Sequence, residues 1–197
     1  MKKVGLTGGM GSGKTTVAKM FEELGIPVYN SDLEARRIMN ENSEVKKAVK
    51  ALFGDNAYEN DQLNRAFIAK KVFGNSAILE ELNKIVHPAV RKDFSDWAAG
   101  QSAPYVIQEA AILFENGGYN NFDHMILVTA PKKTRIIRIK QRDQLSEKDI
   151  LERMKHQWPE KRKKALADFV IHNSDIISTK KNVRKIHEEL IRTRVKQ

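Results

Sequence analysis

The sequence predicts an α/β protein in which buried strands alternate with longer helical segments. Five short apolar runs have the length and composition of buried strands. They lie near residues 3–7, 27–30, 105–109, 125–129 and 169–172. Helical periodicity fills most of the chain between them. A chain of 197 residues is long enough for one substantial core with a smaller inserted lobe.

The first strand leads into a glycine-rich loop. The segment Gly8–Thr15 fits the pattern G-x-x-x-x-G-K-[S/T], and a helical pattern follows it directly. Glycine lets backbone N–H groups converge on crowded phosphate oxygens, and the helix N-terminus adds the positive end of its dipole. We expect Lys14 to reach the β- and γ-phosphates and the Thr15 hydroxyl to bind Mg²⁺. The motif does not identify the group that receives the phosphate.

All residues of this loop are candidate ligands of a nucleoside triphosphate. They are Gly8, Gly9, Met10, Gly11, Ser12, Gly13, Lys14, Thr15 and Thr16.

The net charge of +10 is concentrated in one segment. Residues 132–164 contain 13 Lys/Arg and 5 Asp/Glu. Three interpretations are open: the segment closes over phosphates, binds nucleic acid, or is simply solvated. Closure over phosphates fits a triphosphate-binding protein best.

The chain has no cysteine, which excludes disulfides and fits a reducing cytoplasm. No apolar stretch approaches the length of a membrane span. The sequence enters a strand at once, without the apolar region of a signal peptide. We therefore expect a cytoplasmic protein with small-molecule substrates and no nucleic-acid or membrane partner. It is expected to be a monomer or a weakly associating homo-oligomer.

A helix is predicted directly after the second strand. Ser31 with Glu34 three residues later fits a capping box. Ligands of open α/β sheets bind at the carboxyl ends of the strands, so Asp32 lies near the phosphate loop if this strand neighbours the first. Asp32 has two open interpretations. It is a general base or magnesium partner for an acceptor hydroxyl, or it is an ordinary first-turn residue stabilised by the helix dipole.

No strand is predicted between residues 43 and 97. Helical periodicity is broken there at Gly54, Gly74-Asn75 and His87-Pro88. The block is too long for a simple crossover between two strands, so we predict an inserted lobe that supplies the acceptor pocket. His87 is either a substrate contact or a structural residue that ends a helix.

An arginine-rich helix is predicted after the fourth strand. Arg138 and Arg142 are four residues apart and share a face. Ser146 with Asp149 resembles a second capping box, so another short helix follows. We predict a mobile lid whose arginines neutralise phosphoryl charge. For Arg135, a solvated position on the helix surface is the favoured interpretation.

The fifth strand is followed by the polar turn His172-Asn173-Ser174, which is suited to meet a nucleobase through its backbone. A closing helix is predicted from Thr179 to Val195.

These segments together resemble the dephospho-CoA kinase family, which consists of P-loop kinases. The resemblance extends over nearly the whole chain. Besides the phosphate loop, the segments that carry it are Asp32–Arg36, Leu63-Asn64-Arg65 with Val72-Phe73, Leu82 through His87-Pro88, Leu113-Phe114-Glu115, Gln141-Arg142-Asp143, and Ala167–Ile171 leading to Asn173. Their order and spacing are more specific than any single segment.

The resemblance implies a P-loop NTPase fold like that of nucleoside monophosphate kinases. It has a five-stranded parallel sheet flanked by helices, an inserted helical substrate lobe and a helical lid. We expect the nucleotide-binding core to comprise residues 1–42, 104–134 and 156–197. The substrate lobe is then 43–103 and the lid 135–155.

The implied reaction transfers the γ-phosphoryl group of ATP to the ribose 3′-hydroxyl of dephospho-CoA, with Mg²⁺ as cofactor. Asp32 becomes the candidate base, while Lys14 and Arg142 are the expected catalytic cations. Arg138 and Asn173 are expected in the ATP site. The residues expected to contact the acceptor are Asp32, Arg65, His87, Glu109 and Leu113.

The chain departs from the family pattern in two places. The family often has an acidic residue at the position of Asn30, so a two-carboxylate arrangement there is incomplete. Its common Asp-x-Pro is replaced by Glu109-Ala110-Ala111, in which Glu109 keeps the charge on a longer side chain.

Three alternative functions are open. Another small-molecule P-loop kinase, such as a nucleoside monophosphate kinase, would differ in the lobe and in its acceptor. A GTP-driven switch needs a guanine-selecting Asn-Lys-x-Asp, and the sequence has none. A nucleic-acid-binding module would lose affinity steeply with salt across many sequences.

Overall fold

The computed structural model describes residues 1–192, and these form two compact units. Among the described residues, the first unit comprises Met1–Tyr29 together with residues 101–192, and the second is Asn30–Gly100. The domain boundaries predicted from the sequence stay a prediction.

The strands and helices are numbered in chain order. The strands are β1 (Lys2–Gly8), β2 (Val28–Asn30), β3 (Tyr58–Glu59), β4 (Gln62–Leu63), β5 (Tyr105–Glu109), β6 (His124–Thr129) and β7 (Phe169–His172). The helices are α1 (Lys14–Glu22), α2 (Ser31–Glu41), α3 (Ser43–Phe53), α4 (Arg65–Val72), α5 (Ser76–Ala99), α6 (Lys132–Asp143), α7 (Glu147–Lys155), α8 (Glu160–Lys164) and α9 (Ile176–Arg192).

The predicted α/β fold with a five-stranded parallel sheet is confirmed. The strand order is β2-β5-β1-β6-β7, and β1 pairs in parallel with both β5 and β6. Leu6 of β1 lies opposite Glu109 of β5 and Ile126 of β6. Because β5 lies between β2 and β1, the second strand of the chain does not neighbour the first.

Both faces of the sheet are buried, as is usual for parallel sheets. On one face, Leu6 and Val128 pack with residues of α1 and α9 such as Phe21 and Leu190. On the other face, Leu127 packs with the segment after β5 and with Trp158. The continuous apolar runs of β1, β5 and β6 follow from burial on both sides.

A glycine ends α1 as its sequence position predicts. Gly25 has φ +78°, and the Ile26 N–H donates to the Phe21 carbonyl at 3.1 Å. This is the Schellman arrangement that glycine favours after a helix.

The structure contains a small hairpin that the sequence reasoning missed. β3 and β4 pair in antiparallel fashion through a two-residue turn at Asn60 and Asp61, and these have φ of +48° and +63°. Asn and Asp tolerate this left-handed region and are favoured in such turns. The prediction of no strand between residues 43 and 97 is therefore wrong. Each strand has two residues, which is too short to show an alternating pattern.

The predicted helix break at His87-Pro88 is also wrong. The helix α5 continues from Ser76 to Ala99 with Pro88 in its interior. An interior proline disfavours a helix by about 3 kcal/mol. The buried residues on both sides of it form one stripe of side chains, Leu82, Val86, Val90 and Phe94. Burial of this stripe in the second unit outweighs the local penalty.

The predicted capping box at the start of α2 is wrong in its details. Asn30 caps the helix, because its Oδ1 accepts the Leu33 N–H at 2.9 Å, and Ser31 is already the first helical residue. Glu34 pairs with Arg37 at 2.5 Å. Asn and Asp are about equally good caps, so Asn30 supplies a cap that an acidic residue could also supply.

The closing helix α9 begins at Ile176, three residues before the predicted start. The predicted end at Val195 lies outside the described residues. Within residues 1–192, no helix has the length and apolar character needed to cross a membrane.

Replacing Asn30 by Ala removes the cap of α2 and is expected to lower the free energy of unfolding by about 1 kcal/mol. Asn30→Asp should keep it near the wild-type value, since a carboxylate also accepts the Leu33 N–H. Urea unfolding followed by circular dichroism measures both variants. The control is Asn56→Ala at an exposed position. Equal losses in Asn30→Ala and Asn30→Asp would contradict the cap.

Candidate active site

The phosphate loop leaves β1 at Gly8 and enters α1 at Lys14. Gly11 and Gly13 have φ of +77° and +90°, a region that glycine adopts without strain. The Ser12 N–H donates to the Gly9 carbonyl at 3.0 Å, which closes a tight turn. In such a turn, successive N–H groups converge to form an anion-binding concavity.

The carbonyl oxygen of Ser12 is held by donors from two other parts of the chain. Asn173 Nδ2 donates to it at 2.9 Å and Arg138 Nη1 at 3.3 Å. Arg138 Nη2 also donates to the Asn173 carbonyl at 3.0 Å. Asn173 is buried, and its Oδ1 accepts from Thr179 Oγ1 at 3.2 Å. Both residues, predicted as ATP ligands, therefore contact the phosphate-loop backbone.

The expectation that Arg135 lies on a solvated helix surface is wrong. Its Nε donates to the Met10 carbonyl at 2.8 Å, and a Cβ atom on Gly9 would collide with its guanidinium. The side chain is half-buried. Burial lowers its pKa, and the charge of Glu160 opposes this. The sequence contains one signal for this contact. Gly9, the second glycine of the loop, has no side chain and so leaves room for the guanidinium.

A second contact with Met10 comes from a residue that the sequence did not indicate. The Met10 N–H donates to Gln157 Oε1 at 2.9 Å. Gln157 lies between α7 and α8. A single glutamine in a charged segment belongs to no recognised motif, so only the structure identifies it.

Thr15 and Glu109 lie side by side at the carboxyl edge of the sheet. Glu109 ends β5, is 5% exposed, and its Oε1 accepts from the Thr15 hydroxyl at 3.2 Å. The sequence assigned Thr15 to the metal and Glu109 to the acceptor. The structure brings these two oxygen-bearing side chains together.

A cavity of about 470 Å³ lies at the carboxyl ends of β6 and β7. It is lined by residues 129–132, Glu160 and residues 172–174. Thr129 Oγ1 and His172 Nδ1, 2.8 Å apart, share a hydrogen bond between the two strands. Its volume is typical of a small-molecule site, and it includes the turn that was predicted to meet a nucleobase.

Two predicted site residues make other contacts in this structure. Arg142 is 67% exposed and forms two hydrogen bonds to Asp143, at 2.7 and 2.8 Å. These bonds raise the pKa of Arg142. Leu113 is 4% exposed and packs with Phe114 and Met125 in the core. Their roles at the phosphoryl group and the acceptor stay predictions.

Three predicted site residues belong to the second unit. Asp32 is exposed in the first turn of α2. Arg65 is exposed as the first residue of α4. His87 is half-buried on α5, where burial and, to a smaller extent, Arg91 lower the pKa of its imidazole. Their contacts with an acceptor also stay predictions.

Comparison with known proteins gives a consistent result. The model of the dephospho-CoA kinase family matches residues 2–178. The dephospho-CoA kinase of Salinibacter ruber is 41% identical over 182 residues, covering 90% of this chain and 92% of that protein. The dephospho-CoA kinase of Chlorobium luteolum is 37% identical over 185 residues, covering 90% of this chain and 84% of that protein.

Solved structures show the same similarity. A Thermus thermophilus protein superposes with a TM-score of 0.87 at 32% identity, over 98% of both chains. Dephospho-CoA kinase from Campylobacter jejuni has a TM-score of 0.68 at 25% identity, over 95% of this chain and 96% of that one. Shikimate kinase from Bacteroides thetaiotaomicron has a TM-score of 0.56 at 16% identity, over 96% of this chain and 98% of that one. This last likeness concerns the fold alone.

Gly13→Ala is expected to abolish measurable ATP binding, because its Cβ atom would collide with Asn173 and strain a residue at φ +90°. Gly25→Ala is the matched control. Gly25 has φ +78° with nothing within 4 Å of an added Cβ, so only strain of about 1–2 kcal/mol remains. Calorimetric titration measures ATP affinity, and denaturant unfolding measures stability. Wild-type ATP affinity in Gly13→Ala would contradict the tight contact with Asn173.

Proposed function

Because this chain belongs to the dephospho-CoA kinase family, it phosphorylates dephospho-CoA with ATP, and we propose that the acceptor atom is the ribose 3′-hydroxyl oxygen. That oxygen attacks the γ-phosphorus, the bond to the β–γ bridging oxygen breaks, and the products are coenzyme A and ADP. A nucleoside monophosphate as acceptor is not favoured, since curated relatives over most of the chain are dephospho-CoA kinases.

The phosphates of ATP are proposed to bind to the loop Gly8–Thr16. The observation that carries this assignment is the fixed direction of the loop carbonyls. Those of Met10 and Ser12 accept hydrogen bonds from α6 and Asn173, so they do not oppose an anion on the other side of the loop. Lys14, at the start of α1, adds a cation to the β- and γ-phosphates.

The proposed magnesium ligands are the oxygens of Thr15 and Glu109. The pair fits the ion, because Mg²⁺ prefers hard oxygen ligands and is usually bound by few protein groups plus substrate phosphates. Among residues 1–192, no cluster of three or more His, Cys, Asp or Glu could hold a metal by itself. When bound, the ion neutralises charge on the β- and γ-phosphates.

Asp32 is proposed as the general base. It lies in the first turn of a helix that follows the carboxyl end of β2, the sheet edge at which α/β proteins bind ligands. Its carboxylate would accept the proton of the 3′-hydroxyl as the new O–P bond forms. Arg65 and His87 are proposed to border the acceptor within the lobe of residues 43–103.

The segment 135–155 is proposed to act as the lid. Arg142 is exposed, and both of its described hydrogen bonds go to its neighbour Asp143. It can therefore exchange this partner for phosphoryl oxygens when the lid closes. Closure also excludes water, which would otherwise compete with the sugar hydroxyl. Arg138 is proposed to remain on the loop and support it.

The cavity at the ends of β6 and β7 is the proposed site of the adenine base. Its rim carries the backbone of residues 172–174 and the Thr129–His172 pair, which offer polar groups around a small aromatic ligand.

We also place the reaction in the cytoplasm, which agrees with a chain that has no cysteine.

Asp32→Asn is expected to lower kcat by at least about 100-fold with little change in ATP affinity, because an amide cannot take the hydroxyl proton. A coupled ADP-release assay measures this with dephospho-CoA, beside AMP, CMP and pantothenate as acceptors. Glu22→Gln, an exposed carboxylate-to-amide change, is the control. Near-normal kcat in Asp32→Asn would remove it as base. Faster turnover of AMP or CMP than of dephospho-CoA would contradict the proposed acceptor.

Glu109→Gln is expected to raise the free Mg²⁺ concentration needed for half-maximal activity by about ten-fold or more, since a charged oxygen beside Thr15 becomes neutral. The measurement is a Mg²⁺ titration at fixed ATP, with Glu22→Gln as control and EDTA to remove the metal. An unchanged Mg²⁺ midpoint would exclude Glu109 from the metal site.

A further inference from the structure

Two residues that the proposed reaction does not use hold the phosphate loop at Met10. Arg135 Nε donates to the Met10 carbonyl at 2.8 Å, and Gln157 Oε1 accepts the Met10 N–H at 2.9 Å. The N–H and the C=O of Met10 belong to the peptide groups before and after its Cα atom. When both groups are held in direction, both backbone torsions of Met10 are constrained.

Arg135 is the first residue of the segment proposed as the lid, and Gln157 lies two residues beyond its last residue. Arg135 lies in the first turn of α6, and Gln157 follows the end of α7. The loop is shaped to receive them. Gly9 leaves space for the guanidinium of Arg135, and Gly11 lies against Ile139 and the Arg135 carbonyl, so a Cβ atom at either glycine would collide with α6.

We propose that Arg135 and Gln157 are positioning residues that clamp Met10 and hold the loop in its anion-binding conformation before ATP arrives. This rests on the proposed function, in which the loop binds the ATP phosphates. The clamp acts on ATP affinity, because a loop that is already ordered loses less conformational entropy when the ligand binds. It touches neither the acceptor nor the transferred phosphoryl group.

The opposite arrangement makes the opposite prediction. If Gln157 Oε1 occupied the place of a phosphate oxygen, the glutamine would compete with ATP, and its removal would tighten ATP binding. The direction of the change in KM for ATP therefore decides between a clamp and a competitor.

Steady-state kinetics test the clamp in the full-length enzyme. Gln157→Ala is expected to raise KM for ATP by roughly 3- to 10-fold, with kcat within about two-fold of wild type and KM for dephospho-CoA unchanged. Arg135→Met, which keeps the stem and removes the donors, should give the same split. Glu22→Gln, at an exposed position outside the lid, is the control. An unchanged or lowered KM for ATP in Gln157→Ala overturns the proposal.

Amide exchange provides a readout that does not depend on activity. With ¹⁵N-methionine label, each methionine after Met1 gives one backbone amide signal, and the protein has only 6 methionines in all. Without nucleotide, exchange of the Met10 amide should accelerate in Gln157→Ala but remain slow in Gln157→Glu, whose carboxylate still accepts the N–H. The other methionine amides report global unfolding. An unchanged Met10 exchange rate in Gln157→Ala overturns the proposal, even if the KM for ATP changes.

Lys14→Ala separates failure of the clamp from failure of the proposed function. If Lys14→Ala loses ATP binding and Gln157→Ala keeps it, the loop assignment stands and the clamp is wrong. If Lys14→Ala keeps wild-type KM for ATP, the loop assignment itself is wrong, and the clamp falls with it.

Discussion

The candidate site depends on the hydrogen bonds that fix the carbonyl oxygens of the phosphate loop. Each peptide group has its N–H and C=O on opposite sides, so a loop that offers N–H groups to an anion must place its carbonyls elsewhere. The Met10 carbonyl accepts a hydrogen bond from Arg135 of α6. The Ser12 carbonyl accepts hydrogen bonds from Arg138 of α6 and from the side-chain amide of Asn173. Bonds from a charged guanidinium to a carbonyl are stronger than neutral ones.

The excess positive charge of residues 132–164 is divided among several tasks. Arg135 and Arg138 contact the loop, which supports the interpretation that the segment serves phosphate binding. Three of the lysines, Lys140, Lys155 and Lys164, form exposed ion pairs with nearby acids, as Lys140 does with Glu147 at 2.6 Å. Exposed pairs of this kind contribute little to stability. Local charge density therefore does not reveal which cation has a functional partner.

Lys163 differs from the other lysines of residues 132–164, because it forms a buried ion pair. It is 2% exposed, and its Nζ lies 2.5 Å from Glu115 Oε1. This ion pair is on the face of the sheet to which Leu127 of β6 points. A buried ion of this kind needs its partner, because loss of either one leaves an uncompensated charge in the core. The Leu113-Phe114-Glu115 segment of the family pattern is thereby tied to α8, a helix that the sequence reasoning did not predict.

Most of the fold could be predicted because it depends on interactions that are local or repetitive. The five sheet strands are continuous apolar runs, and Gly25 and Ser146 mark helix ends through their own backbone and side-chain preferences. The errors arose where tertiary packing or very short elements decided the outcome. Burial carries α5 through Pro88, and the hairpin at Asn60 and Asp61 is too short for a period to appear. The sequence predicted Ser31 as the N-cap of α2, whereas Asn30 caps it in the structure. Both residue types suit an N-cap, so the residue type alone does not choose between them.

For the candidate site, the sequence by itself determined the loop, because a glycine with positive φ and a lysine at the helix start are fixed by neighbours along the chain. Only the tertiary structure decided which long side chains reach it. Glu109 meets Thr15 across 94 residues, Arg135 meets Met10 across 125, and Gln157 meets Met10 across 147. Such pairings depend on sheet order and on how α6 and α7 pack. The residue types alone are equally compatible with a solvated surface.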